Sequence, residues 1–144
     1  MTRPDLSYSG RLLVDTNAYC GLTDPNDGTH RAAVSTARQL STAPIRRYTT
    51  NFIVAESNAL ILIRRGYTAA LRFLDELAAG STVIIRIRAV DEQRAQAIIR
   101  QFADKRFSFT DATSFAVMDR LRIAQAFTFD RNFSQFGLRM LPHV

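Results

Sequence analysis

Hydrophobic residues along the chain follow two periodicities. Short apolar runs predict strands over 11–14, 48–50, 82–89 and 126–129, with a last short strand over 139–141. Segments with apolar residues three or four positions apart predict helices over 29–40, 51–65, 68–79, 91–102 and 111–122. Residues 43–47 include a proline and are predicted as a loop. Alternating strands and helices indicate an α/β protein, a three-layer α/β/α arrangement with a short, mostly parallel sheet flanked by helices.

Two aspartates follow predicted strands. Asp15 comes directly after the run LLV, and Asp130 closes AFTFD. In parallel sheets, ligands bind beyond the carboxyl ends of the strands, so both positions are candidates for a functional site. Each also has a structural alternative, because Asp15 could cap a helix and Asp130 could start a turn.

Glu56 is a third candidate, on the helix predicted over 51–65. It falls in a row with mostly apolar neighbours: Ile53, Glu56, Leu60 and Ile63. A glutamate on an apolar row is costly unless it is paired or bound to a metal. The alternative is that Glu56 lies at the margin of the row or pairs with an arginine.

Asp111 is the fourth candidate and opens the helix predicted over 111–122. An acid in a first turn suits the helix dipole, and Ser108 or Thr110 could be the cap. However, Asp111 heads a row that must face the core: Ser114, Phe115, Met118 and Leu121. We therefore expect its carboxylate to point along the buried side, toward the edge of the sheet, and Asp119 to lie on the surface.

The apolar faces of two other helices are also predicted. In 68–79 the inward residues are expected to be Leu71, Leu74, Leu77 and Ala78. In 91–102 they are expected to be Ala95, Ile98, Ile99 and Phe102. Gly66 and Gly80 are expected to end the helices before them.

Length and composition fit one domain over residues 1–144, with 1–10 as a loose polar lead-in. That lead-in lacks the apolar stretch of a secretory signal, and no apolar run approaches the ~18 residues of a membrane span, so we expect a cytoplasmic protein with no membrane partner. Cys20 is the only cysteine, which excludes an internal disulfide. The histidines, His30 and His143, have no plausible nucleophile beside them, so a histidine mechanism is not expected.

Taken together, the four carboxylates suggest a metal site. Acids that converge at one sheet edge must take up protons or bind a cation, and an oxygen-only set suits Mg²⁺ or Mn²⁺. Such ions support phosphodiester hydrolysis. The net charge of +6 comes almost entirely from arginine, whose guanidinium matches phosphate groups, so nucleic acid is the first expected partner. The alternative is a solvated surface whose arginines reflect genome composition, and pairs such as Arg64 and Arg65 could contact phosphates, solvent or a second subunit.

The segments LLVDTN, TTNFIVAESNAL, FSFTDATSFAVM and AFTFDRNF together resemble the PIN-domain family, and within it the VapC-like toxins of bacterial type II toxin–antitoxin pairs. The resemblance covers roughly residues 11–141. It implies a PIN fold and Mg²⁺- or Mn²⁺-dependent hydrolysis of RNA, with the metal held by four acids: Asp15, Asp111, Glu56 and Asp130. Asp15 and Asp111 rank first among these ligands, and the resemblance also implies a homodimer and a cognate antitoxin that masks the site.

Neighbouring polar residues are expected to order this site, namely Thr16, Asn17 and Ser114. The chain departs from the family pattern in its lead-in and at Asn132, where histidine is common. Neither departure removes a ligand, but both leave the choice of substrate and the role of the last loop open.

Two other classes of protein compete with this interpretation. A phosphotransfer enzyme of the haloacid-dehalogenase type also has an aspartate after its first strand. It needs a second aspartate where this chain has Asn17, and a later lysine, for which only Lys105 is available. The other class is a non-catalytic PIN scaffold that binds RNA or protein. Such scaffolds usually lose one or more acids, and this chain keeps all four.

Overall fold

The computed structural model describes residues 10–142, in which five strands alternate with seven helices. The strands are β1 (Gly10–Val14), β2 (Ile45–Thr50), β3 (Val83–Ile85), β4 (Gln125–Phe127) and β5 (Arg139–Leu141). The helices are α1 (Thr16–Thr23), α2 (His30–Ser41), α3 (Asn51–Arg65), α4 (Tyr67–Ala79), α5 (Ala89–Gln101), α6 (Phe109–Leu121) and α7 (Asn132–Phe136). The lead-in over 1–9 and His143 lie outside the described residues.

The five strands form one sheet in the order β3-β2-β1-β4-β5, and every neighbouring pair is parallel. This confirms the predicted α/β class. The chain adds β2 and β3 on one side of β1 and then returns to add β4 and β5 on the other side. The order therefore reverses between β1 and β4, the position at which open α/β sheets usually bind their ligands.

The central strand β1 supplies side chains to both faces of the sheet. Leu13 packs into one core with α5, α6 and α7. Leu12 and Val14 point to the opposite face and pack with residues of α1 and α2. This alternation follows from the two-residue period of a strand, and it creates the three layers.

Helix α6 is the most deeply enclosed helix of the fold, with every residue from Ala112 to Met118 buried. Ser108 precedes it as the N-cap and accepts a hydrogen bond from Asp111 N, while Asp111 Oδ2 accepts one from Ser108 N. This capping box fixes the start of the helix. Ser108, rather than Thr110, is therefore the cap.

Several predicted boundaries were wrong. Strand β2 begins at Ile45, inside the predicted loop, and β3 has three residues rather than eight. The arginines at the start of β2 concealed it, because the first half of this strand is only partly buried and lacks a run of apolar residues. Helices α1 and α7 were not predicted, since eight and five residues are too short to show a clear period.

Two predicted helix faces were also wrong. In α4 the buried residues are Ala70 and Phe73, while Leu71 and Leu74 are exposed. In α3 the buried row is Ile53, Ser57 and Ile61, and Ile63 is 80% exposed. In both helices the buried side is the one on which α1, α3 and α4 pack together, around Cys20, Ile61, Ala70 and Phe73. The predicted face of α5 is confirmed at Ala95 and Ile98.

None of the helices within residues 10–142 is long and apolar enough to cross a membrane.

An ion pair with a buried carboxylate joins helices α5 and α6. Asp91 in α5 is 2% exposed and accepts two hydrogen bonds of 2.9 Å from the Arg120 guanidinium in α6. It also accepts a hydrogen bond from Arg88 N at the start of α5. Burial alone would raise the pKa of Asp91, but these bonds outweigh it and the pKa is lowered.

We predict that Asp91→Ala lowers the free energy of unfolding by about 2 kcal/mol, because it removes the hydrogen bonds that the buried carboxylate accepts from Arg120 and from Arg88 N. Urea denaturation measures this loss. The matched control is Asp119→Ala in α6, whose exposed carboxylate lies 3.8 Å from Arg94 and should contribute less than about 0.5 kcal/mol. Equal losses of unfolding free energy in the two variants would contradict the stabilising role assigned to Asp91.

Candidate active site

The four predicted acids line one cleft at the carboxyl edge of the sheet. This acidic cleft has a volume of about 260 Å³. Its walls are formed by the residues Asp15, Thr16, Asn17, Cys20, Asp27, Thr29, Glu56, Leu60, Arg64, Asp111 and Asp130. The acids come from four separate places: the end of β1, the middle of α3, the start of α6 and the loop after β4. The fold therefore brings together residues that are far apart in sequence.

Asp15 lies deepest in the acidic cleft and is 4% exposed. It occupies the N-cap position of α1, but its side chain makes no capping hydrogen bond. Asp15 Oδ2 instead accepts a hydrogen bond of 2.9 Å from the Thr128 hydroxyl. Asp15 therefore occupies the capping position that the structural alternative predicted, but its carboxylate faces the cleft and does not cap the helix.

Burial raises the pKa of Asp15 from 3.8 to about 7. Hydrogen bonds from Thr16 N and the Thr128 hydroxyl oppose the shift, and repulsion by the carboxylates of Asp111 and Asp130 adds to it. Without a compensating cation, this carboxyl group therefore keeps its proton at pH values where an exposed aspartate is ionised.

Asn132 connects two of the other acids. Its backbone N–H donates to Asp130 Oδ1 (2.9 Å), and its Nδ2 donates to Asp111 Oδ2 (3.2 Å). Burial raises the pKa of Asp130, although the bond from Asn132 opposes this, and the charges of Asp111 and Glu56 add to the rise. The asparagine that departs from the family pattern therefore holds two carboxylates at the rim of the cleft.

Glu56 reaches the acidic cleft from an exposed position. The expectation that it lies on a buried apolar row was therefore wrong, and the alternative of a marginal position was correct. The face of α3 that lines the cleft consists of Glu56, Leu60 and Arg64, each four residues apart.

Polar residues around the acids fix the loop after β4. Asn17 Oδ1 accepts a hydrogen bond from Phe129 N (2.9 Å), and the Thr128 hydroxyl accepts one from Asp130 N (3.1 Å). Thr16 and Asn17 line the cleft as expected. Ser114 lies inside α6, where its hydroxyl donates to the Thr110 carbonyl.

Four residues at or beside the site were not assigned to it from the sequence: Asp27, Arg64, Thr128 and Asn132. Asn132 was noted only as a departure from the family pattern, and Arg64 only as one of several arginines that could contact phosphate. Thr128 precedes Asp130 by two residues in a predicted strand, and that spacing places both side chains on one side. This pattern could have identified it. Nothing local in the sequence identifies Asp27 or Arg64, since their proximity depends on how α1, α2 and α3 pack together.

The residues present fit a divalent cation by their chemistry. Carboxylate oxygens are the ligands that hard cations prefer, and the hydroxyl of Thr16, buried in the wall of the cleft, has no hydrogen-bond partner within residues 10–142. In the same residues, no three Asp, Glu, His or Cys side chains are grouped closely enough to hold a metal ion as they stand. The acids would have to lie closer together to hold a cation jointly, and their mutual repulsion opposes this when no cation is bound.

Neither His30 nor Lys105 contributes to the cleft. His30 Nδ1 lies 2.8 Å from the Gly21 carbonyl, and Lys105 pairs with Asp104 at 3.4 Å. Asn17 is occupied by the loop after β4. A phosphotransfer site of the haloacid-dehalogenase type, which requires a lysine and a second early aspartate, is therefore not supported.

A five-stranded parallel sheet with four acids gathered at its switch point defines an α/β domain with an acidic site at the carboxyl edge of the sheet. Residues 12–138 match the model of the PIN domain. The chain therefore belongs to the PIN-domain family, and its relatives there are VapC ribonucleases.

Three comparisons illustrate this relationship. Ribonuclease VapC26 of Mycobacterium tuberculosis is 30% identical over 83% of this chain and 87% of its own. The 23S rRNA-specific endonuclease VapC20 of the same organism is 31% identical over 88% and 94%. The crystal structure of VapC20, described as a sarcin-ricin loop cleaving toxin, superposes with a TM-score of 0.80 at 28% identity, covering 88% of this chain and 95% of that one.

A toxin–antitoxin complex from Klebsiella pneumoniae shares the fold, with a TM-score of 0.65 at 16% identity, over 92% of this chain and 99% of that one.

The raised pKa of Asp15 predicts a pH-dependent stability in the presence of EDTA. The folded chain holds this proton up to about pH 7, whereas the unfolded chain releases it near pH 3.8. Stability is therefore lost as the pH rises through this window, by up to about 4 kcal/mol. We predict that Asp15→Asn removes the loss and is more stable than wild type above pH 7.

Urea denaturation at several pH values measures the difference between Asp15→Asn and wild type. Asp75→Asn, at an exposed position in α4, is the matched control and should follow the wild-type curve. If Asp15→Asn loses stability with pH as steeply as wild type does, the raised pKa is wrong.

Proposed function

We propose that this chain, as a single PIN-like domain, is a metal-dependent endoribonuclease and the toxin of a type II toxin–antitoxin pair. One observation carries the proposal: four carboxylates from four separate elements line one cleft at the switch point of the sheet. Membership of the PIN-domain family and relatives named as ribonucleases support it. A scaffold without activity would have no need to keep the four acids together.

In this proposal Asp15, Asp111, Glu56 and Asp130 hold Mg²⁺ or Mn²⁺. When bound, the cation supplies Lewis-acid activation of water and neutralises charge on the phosphate. Thr128 orients Asp15 through its hydroxyl, and Asn132 sets the separation of Asp111 and Asp130. These hydrogen bonds hold the acids in place, as residues that surround metal ligands usually do.

The proposed substrate is RNA. The net charge of +6 includes the acids of the cleft, so the rest of the surface is more basic still and attracts a polyanion. Because the relative VapC20 is named as specific for 23S rRNA, ribosomal RNA is the first substrate to test.

We predict that purified protein cuts RNA into discrete fragments with Mg²⁺ or Mn²⁺ and not with EDTA. Asp15→Asn should reduce the rate to below about a hundredth of wild type, because it removes a charged ligand from the cleft. Cleavage of total cellular RNA, followed on denaturing gels, measures both effects. Asp119→Asn, a surface carboxylate outside the cleft, is the matched control and should cleave as wild type.

Metal-independent cleavage, or full activity of Asp15→Asn, would refute the proposed mechanism. A folded Asp15→Asn variant is required for this comparison, and its melting temperature serves as the check.

An apolar surface supports a protein partner. Five large exposed residues follow one another along the end of α3 and the outer side of α4: Leu62, Ile63, Tyr67, Leu71 and Leu74. Tyr67 is 73% exposed, and this α3–α4 patch adjoins Arg64 at the wall of the acidic cleft. Contiguous exposed apolar surface of this kind is typical of a docking site. We propose that the antitoxin covers this patch and thereby masks the cleft. The homodimer that the family resemblance implies is a separate prediction.

We predict that Leu71→Asp weakens binding of the cognate antitoxin at least about tenfold, since a buried charge in an apolar interface is costly. RNA cleavage should be unchanged, because Leu71 lies outside the cleft. Co-purification and titration calorimetry measure the affinity. Val90→Asp, also an exposed apolar residue but in α5, is the matched control. Equal affinity of the two variants would remove the α3–α4 patch as the antitoxin site.

A further inference from the structure

Arg64 is the one basic residue that lines the acidic cleft within residues 10–142. Its guanidinium lies 3.6 Å from Asp27 Oδ2, and its side chain is 44% exposed. The guanidinium therefore keeps donors directed to solvent inside a cleft whose other charged groups are carboxylates. A phosphodiester that approaches these carboxylates is repelled by them, so a cation at this wall has a clear electrostatic use.

Asp27 holds Arg64 in place and is itself held. Its Oδ1 accepts hydrogen bonds from Thr29 N (2.8 Å) and from the Thr29 hydroxyl (2.6 Å), which lower the pKa of Asp27. With Oδ1 occupied, Oδ2 is left to face Arg64. The loop between α1 and α2 thus places a fixed negative charge beside an arginine of α3.

The spacing along α3 separates Arg64 from the metal-binding acids. Glu56 and Arg64 are on the same face of the helix, eight residues apart, which corresponds to about 12 Å along its axis. This offset places Arg64 at the end of the cleft wall remote from Glu56, so a strand that lies along the wall brings one phosphate to the acids and a neighbouring phosphate to Arg64. An arginine fork matches the geometry of a phosphate group.

We infer that Arg64, positioned by Asp27, binds a backbone phosphate of the RNA next to the scissile one and sets the path of the strand through the cleft. This inference rests on the proposed ribonuclease function and deepens it. Arg64 is then a residue of substrate binding, and Asp27 is a positioning residue that acts through it.

The adjacent residue supplies a matched control. Arg65 has the same charge, lies in the same last turn of α3 and is exposed, but it does not line the cleft. Both substitutions are made in Asp15→Asn protein so that RNA is not consumed. The probe is a short fluorescein-labelled single-stranded RNA of mixed sequence, with binding followed by fluorescence anisotropy in Mg²⁺.

Arg64→Gln should raise the Kd about tenfold and lower the salt dependence of binding by about one charge, whereas Arg65→Gln should change the Kd less than about twofold. Arg64→Lys should recover part of the affinity, since it keeps the charge and loses the fork. Asp27→Asn should weaken RNA binding by Asp15→Asn protein that retains Arg64. It should cause no further loss of affinity when it is combined with Arg64→Gln. In cleavage by otherwise wild-type protein, Arg64→Gln should raise KM and leave kcat nearly unchanged.

Equal Kd values for Arg64→Gln and Arg65→Gln, at unchanged melting temperatures, would overturn the inference and leave only a general effect of charge. Independent effects of Asp27→Asn and Arg64→Gln would overturn the positioning role of Asp27. The proposed function fails separately: if wild-type protein cleaves no RNA with either metal while Arg64→Gln still weakens binding, the phosphate contact stands and the nuclease does not.

Discussion

Asp15 lies at the end of the central strand, in the most buried part of a cleft that it shares with three other acids. Burial and the charges of Asp111 and Asp130 both oppose its ionisation. Hydrogen bonds from neighbouring residues oppose this repulsion. The Thr128 hydroxyl and Thr16 N stabilise the Asp15 carboxylate, and Asn132 holds Asp111 and Asp130. Each of these bonds offsets part of the cost of gathering like charges, and a cation would offset the remainder.

The sequence was sufficient to predict the features that depend on the periodicity of apolar residues. The class of fold, the central strand, helix α3 and the position of Asp15 beyond β1 follow from periodicity and from the geometry of parallel sheets. It was insufficient where packing decides the outcome. Ile63 and Leu71 are as apolar as any core residue, yet both face outward because α1, α3 and α4 pack together on the side that holds Ile61 and Phe73. Glu56 was placed in the right cleft for a wrong reason, since it is exposed rather than buried.

Three faces of helix α3 have different surroundings. Ile53, Ser57 and Ile61 pack inward. Glu56, Leu60 and Arg64 form a wall of the cleft, and Leu62 and Ile63 begin the α3–α4 patch. A partner that covers the patch would therefore lie within a turn of the helix from the residue inferred to bind RNA. Masking of the cleft by an antitoxin then requires no distant conformational change, because the protein surface and the substrate surface share an edge.

The hydrogen bond between Thr128 and Asp15 joins residues 113 positions apart. The cleft is therefore complete only when the segment after α6 packs against the end of β1. Removal of β4 and the loop that follows it would leave Asp15 without Thr128 and Asp130. The acids of β1 and α3 cannot form this cleft without the last part of the sheet.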